Sequence, residues 1–237
     1  FAVCLSPQDT HSRRLLASYL EELQDWAQAV NERRAVLAME KSAPDANSES
    51  GKTQILEDLR SLAACALQAG LVDETIETSQ AILDLAPQDG FAHVLLGKAS
   101  EARGDTQAAM ELFQKAAQIA PYQPETWLSL ARAYETAGKP DQALETLRTA
   151  SQAVPDAVEI QLALGEKLME TETPSQAVTV LRKAADLSGL PINQGLLAAK
   201  EDQSRRIGGM FNSLAVQVAM RLGEVLFRMG HYAEARQ

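Results

Sequence analysis

The chain has 237 residues, 46% of them hydrophobic and only 5% aromatic, and a formal net charge of -10. Ala and Leu dominate and long Val/Ile/Thr runs are missing, a mix that favours helix over sheet and supplies enough apolar surface for a substantial core. The acidity excludes a duplex-binding surface, which needs a basic stripe to displace counterions, and no apolar run reaches the roughly 18–20 residues of a membrane-spanning helix.

Residues 1–43 open with "FAVCLSP", which lacks the basic flank of a signal peptide. Leu16-Ala17-x-x-Leu20, then Trp26 and Ala29, are spaced for an imperfect pair of helices. The start at Phe1 and the stop inside the helical pattern "HYAEARQ" read as a piece of a longer protein. Neither Cys4 nor Cys65 has a partner at metal or C-x-x-C spacing, so both are expected as reduced thiols. That cysteine usage leans towards the cytoplasm rather than secretion.

Residues 44–55 read as a polar loop, expected to be mobile and an early site of proteolytic nicking. Within the loop, Ala46-x-x-x-x-Gly51-Lys52-Thr53 approximates a Walker A motif. A phosphate loop needs a buried strand ahead of it. The preceding "AMEKSAPD" is a helix end and a proline turn, the first glycine is Ala, and no parallel sheet supplies a magnesium ligand. Lys52 and Thr53 are therefore expected in a solvated loop leading to a helix, and no nucleotide is expected.

A repeat governs the centre of the chain. Pro87, Pro121 and Pro155 are 34 residues apart, and so are Gly70, Gly104 and Gly138. Two residue types that punctuate structure for different reasons share one period. Between each Gly and the next Pro runs one helical pattern, as in Ala143, Leu144, Leu147, Ala150 and Val154. Between each Pro and the next Gly runs another, as in Trp127, Leu130, Ala131 and Tyr134. The glycine ends the first helix in a left-handed cap, and the proline follows the second. A single pair cannot bury its apolar faces, so the pairs must stack into an all-α solenoid of antiparallel helix pairs.

Trp127-x-x-Leu130-Ala131-x-x-Tyr134, Ala143-x-x-x-Leu147 and Pro155, with Leu96-Gly97, Ala109-x-x-x-Phe113 and Pro121 before them, resemble the tetratricopeptide repeat. The resemblance implies a right-handed superhelix. It divides 56–189 into four repeats at about 56–89, 90–123, 124–157 and 158–191, the last closing on Gly189 in place of a proline. The repeat at 56–89 is worn, with Thr75 and Ser79 where Ala and a large hydrophobe are usual. Residues 190–211 are an insertion or linker with helical potential, and 212–237 start a further repeat that is cut short. Ala63, Gly97, Ala131 and Gly165 are the small residues that let paired helices approach closely.

The resemblance also implies an inner groove lined by the first helix of each pair. At repeat spacing one row holds Ala64, Lys98, Arg132 and Glu166, a second Arg60, Val94, Leu128 and Leu162, and a third Leu67, Glu101, Glu135 and Met169. The candidate groove is thus Arg60, Val94, Lys98, Glu101, Leu128, Arg132, Glu135, Leu162, Glu166 and Met169: a basic centre, an apolar strip and acidic edges. It suits an amphipathic peptide or helix of a partner protein. The clear repeats lack the Asn of the family's chaperone-tail clamp. Lys98 and Arg132 have an equally weighted alternative as partners of Glu101 and Glu135 at i, i+3.

His11, His93 and His231 lie in separate units without ligand spacing, and His93 takes the packing position of Trp127. No catalytic residues, cofactor or metal are expected. Three functions remain open: a non-catalytic interaction scaffold, a self-associating repeat module, and the regulatory region of an enzyme whose catalytic domain lies elsewhere.

Overall fold

The computed structural model describes residues 9–170, 174–188 and 214–230. Among the described residues it is entirely helical, with eleven helices: α1 Thr10–Glu22, α2 Trp26–Ser42, α3 Glu49–Gln68, α4 Val72–Leu85, α5 Gly90–Ala102, α6 Thr106–Ile119, α7 Pro124–Thr136, α8 Pro140–Ala153, α9 Val158–Glu170, α10 Pro174–Leu187 and α11 Leu214–Arg228. The chain divides into two compact units, 1–120 and 121–237.

Local chemistry sets the helix ends. Asp9, Asp25, Ser48, Asp89 and Asp105 accept backbone N–H groups at the starts of α1, α2, α3, α5 and α6. Pro124 and Pro140 start α7 and α8, where a missing N–H costs nothing. The predicted glycine caps hold: Gly70, Gly104 and Gly138 have φ of +74°, +81° and +69°. Just beyond them, the N–H groups of Leu71, Asp105 and Lys139 donate to the carbonyls of Ala66, Ser100 and Tyr134, each at 2.9 Å. The first pair closes identically, Asp25 N–H to Leu20 O at 2.9 Å, but with Gln24 at φ +59° in the glycine's place. That strained turn is one physical mark of its degeneracy.

The polar loop is shorter than the sequence reading has it, and this corrects the 44–55 assignment. Helix α3 begins at Glu49, because Ser48 accepts the Gly51 N–H at 3.0 Å and so caps it. Gly51 is needed for close approach: a Cβ there would come within 2.2 Å of the Asp45 carbonyl oxygen. Lys52 reaches Glu49 at 3.6 Å, and the Thr53 hydroxyl donates to the Glu49 carbonyl at 2.8 Å. The residues that mimic a phosphate loop are the first turns of a repeat helix.

In unit 1 the pairs are α1/α2, α3/α4 and α5/α6, with α2 against α3, α4 against α5, and α3 against α5. Ala29, Val30, Leu59, Leu62, Ala63, Ile82 and Leu95 form a continuous core. Two long-range ties reinforce it. Arg14 of α1 grips Asp58 of α3 with two hydrogen bonds, at 3.0 and 2.8 Å, and also meets Glu40 of α2 at 2.7 Å. Arg34 of α2 holds Glu74 of α4 at 2.5 Å. Within α5/α6, a Cβ on Gly97 would lie 2.4 Å from the ring of the fully buried Phe113. In the worn pair Thr75 and Ser79 are fully buried. The Thr75 hydroxyl bonds the Leu71 carbonyl at 3.0 Å, while the Ser79 hydroxyl finds no partner among the described residues.

In unit 2 helix α9 lies among α7, α8, α10 and α11. Leu162, Leu164, Leu168, Leu181, Val218, Leu222 and Val225 fill the core. The period is visible in single bonds: Trp127 Nε1 donates to the Pro121 carbonyl at 2.8 Å, and 34 residues on Gln161 Nε2 donates to the Pro155 carbonyl at 2.9 Å. A Cβ on Gly165 would come within 2.5 Å of Leu181, repeating the Gly97–Phe113 contact. The segment read as an insertion or linker, 190–211, lies outside the described residues. Of the repeat begun at 212–237, helix α11 and the turn through Gly230, at φ +79°, are described.

Candidate partner-binding surface

The first helices of the pairs carry the predicted groove residues. In unit 1, Arg60 of α3 is already engaged: its Nε and Nη2 donate to Asp89 Oδ2 at 2.9 and 2.5 Å, and its Nη1 to Glu57 at 2.5 Å. Asp89 in turn uses its other oxygen to cap α5 at the Ala92 N–H, 2.8 Å away. Arg60 therefore ties α3 to the start of α5. Val94 points inward, 2% exposed, and offers no apolar strip. Lys98 and Glu101 of α5 are half-buried, and each already has an interaction partner.

In unit 2, Leu128 of α7 and Met169 of α9 are half-buried against the core, while Leu162 of α9 is 6% exposed and belongs to that core. Arg132 is exposed and makes no ion pair among the described residues. Glu135 does not pair with it; instead it accepts from Lys167 Nζ of α9 at 2.6 Å. Burial works against the Lys167 charge, but its hydrogen bonds to Glu135 and Glu170 hold its pKa above the ordinary lysine value. Glu166 of α9 accepts Arg221 Nε of α11 at 2.7 Å. Neighbouring first helices of this unit are thus joined in sequence, α7 to α9 and α9 to α11, by one ion pair each.

The rows drawn from the sequence stop at Met169 because the insertion breaks the 34-residue step. Counting from the small residue restores them. Met220 stands three residues before Gly223, as Leu162 stands before Gly165, and Phe227 four after it, as Met169 does. Met220 and Phe227 are 55% and 61% exposed. They flank Arg221, which also meets Glu224 at 3.2 Å, and Glu224 meets Arg228 at 2.6 Å. In unit 2 the exposed apolar side chains of the first helices lie on α11 rather than at Leu128 and Leu162. The signal that would have found them is the Leu222-Gly223 pair.

Outside this wall, His93 and Cys65 have structural partners. His93 is buried and its Nδ1 lies 2.8 Å from the Asp89 carbonyl. Among the described residues no cluster of His, Cys, Asp and Glu could hold a metal ion, and no helix is long and apolar enough to cross a membrane. Cys65 of α3 is buried, and its thiol donates to Glu21 of α1 at 3.0 Å, beside the Arg33–Glu21 pair. Burial, and then the bond to Glu21, push the Cys65 thiol up to about 12 from 9.0, with Arg33 opposing. A raised folded-state pKa means its contribution to stability is intact below the unfolded value and is lost as pH rises through the folded one. Relative to Cys65→Ala, the protein should therefore lose urea resistance between about pH 9 and 12. In a Cys4→Ser background at pH 8 the native thiol should resist alkylation and react fully in urea. Equal rates in both conditions would contradict the burial.

Two family models of the tetratricopeptide repeat match the sequence, over residues 66–124 and 101–157. No curated protein matches it. Among solved structures it is similar to pilF of Pseudomonas aeruginosa, at TM-score 0.57 and 15% identity over 96% of this chain and 95% of that one. It is also similar to TTC0263, a thermophilic TPR protein of Thermus thermophilus, at TM-score 0.52 and 20% identity over 81% of this chain and 98% of that one. MamA gives TM-score 0.53 and 20% identity over 73% of this chain and 94% of that one. At these identities the likeness is one of fold.

Proposed function

We propose that this chain, which belongs to the tetratricopeptide-repeat family, is a non-catalytic scaffold that docks an amphipathic peptide or helix of another protein on its first-helix wall. The observation that carries this is the wall of unit 2. Arg132 stands exposed without an ion pair among the described residues, and Met220 and Phe227 leave more than half of their surface open. Their neighbours Glu135 and Glu166 are held in place by Lys167 and Arg221. A fixed pattern of charge beside open apolar side chains fits a partner with one apolar and one charged face.

The test is selection of binding peptides from a displayed library against the whole chain, followed by calorimetry on variants. Phe227→Asp and Arg132→Glu should each weaken the selected peptides at least tenfold at unchanged melting temperature. Peptides held equally by both variants and by the parent chain would place the docking site elsewhere.

A further inference from the structure

A second open surface lies near the start of the described chain. Leu15, Tyr19 and Leu23 follow one another at i, i+4 and i+8 along α1 and its last turn, and they are 59%, 58% and 59% exposed. Spaced this way, the three side chains make one stripe. Large apolar side chains in such a row seldom stay open to water without a partner.

The repeat register tells what this face normally does. Ala17, Ala63 and Gly97 occupy equivalent positions of α1, α3 and α5. Two residues before and after them stand Leu15 and Tyr19 in α1, Ser61 and Cys65 in α3, and Leu95 and Ala99 in α5. Cys65, Leu95 and Ala99 are all buried, and Cys65 meets Glu21 of the preceding pair. This is a packing face wherever another pair precedes it. At its centre α3 and α5 carry Cys and Ala, which allow close approach, and α1 carries Tyr19. None of the later first helices carries a ring at this position: α7, α9 and α11 have Ala133, Lys167 and Val225 there.

The order of the stripe points to a particular occupant. Leu-x-x-x-Tyr-x-x-x-Leu reads the same in both directions. Two copies of α1 laid antiparallel about a twofold axis through Tyr19 would set each Leu15 against the other copy's Leu23, with the two rings offset at the centre. Self-complementarity of this kind is what a twofold interface requires. The stripe itself carries no charge, and the nearby Arg13 and Arg14 are committed within their own copy, to Glu32 and to Asp58 and Glu40. We propose that this face joins two copies of the chain. Three side chains per copy cover far less than the roughly 1,000 Å² of a stable interface, so the dimer is weak. Each copy carries a net charge of -10, so added salt strengthens it.

Sedimentation velocity on the whole chain, from about 10 μM to about 1 mM, tests this across the range in which an interface this small associates. The weight-average mass should rise towards that of a dimer, and more steeply at high salt. Tyr19→Glu and Leu15→Ser should each weaken association at least tenfold without lowering the melting temperature, since both residues are exposed in the single copy. In a Cys4→Ser background, Tyr19→Cys should give a disulfide-linked dimer under copper–phenanthroline oxidation, because the axis passes through that position. A chain that stays monomeric throughout would overturn the proposal. So would association that survives Tyr19→Glu, or a Tyr19→Cys chain that associates but does not cross-link.

Discussion

Replacing Arg14 with Met should lower the stability of unit 1 by about 3–5 kcal/mol, among the largest losses available from one side chain. The reason lies at the other end of the bond. Asp58 is 3% exposed, and Arg14 is its cationic partner. Removing the guanidinium leaves a buried carboxylate with neither water nor counter-charge, which is costlier than never having had the pair. Glu40, the third member, turns to solvent at little cost. The hydrogen bond to Asp58 holds the Arg14 pKa above its ordinary value. The contribution of that group is present at every pH below its unfolded value and is lost only above it, so the tie persists across the whole range in which the fold can be assayed. Urea denaturation gives the size of the loss, and amide exchange locates it, with protection falling first in α1–α3. The double variant Arg14→Met/Asp58→Leu should recover most of the loss, because both buried charges are then gone. A double variant as weak as Arg14→Met alone would mean that the pair acts through packing and not through the stranded charge.

The second large effect is a coupled one at Gly97 and Phe113. Phe113→Ala should cost about 3–5 kcal/mol, the usual range for a fully buried aromatic. Gly97→Ala should cost about 1–3 kcal/mol, although Ala favours a helix over Gly by about 1 kcal/mol, because the new Cβ lies 2.4 Å from the ring. The two should not add. With the ring removed, Gly97→Ala should be neutral or slightly stabilising, and the double variant should be no worse than Phe113→Ala. Gly223→Ala is the internal control: nothing lies within 4 Å of a Cβ there, so helix propensity alone should act. Additive losses at 97 and 113 would show that the glycine is needed for some reason other than the ring.

Much of the fold is legible in the sequence because its rules are local. A glycine that must take a positive φ and a proline that cannot continue a helix act over a few residues, and the 34-residue step repeats them. Gly70, Gly104 and Gly138 could therefore be assigned without knowing what surrounds them. Gly51 could not. Its spacing to Lys52 and Thr53 suggests a phosphate loop, and only the turn at Asp45 shows why a Cβ is intolerable there. Arg60 shows the same limit at the candidate surface. The register places it correctly on a first helix, but Asp89, 29 residues away, takes up its charge.

The sequence by itself determined that the chain is a series of helix pairs, that the central pairs turn at Gly70, Gly104 and Gly138, and which small residues face their partners. The tertiary structure alone decided which of the equivalent side chains are spent on packing and which remain open. Val94 and Leu162 are covered, whereas Met220, in the same row, is exposed. The physical reason is that every position of a repeat has the same local geometry but not the same neighbours. Burial, ion pairing and availability to a partner are set by the helix alongside, which the period of the sequence does not encode.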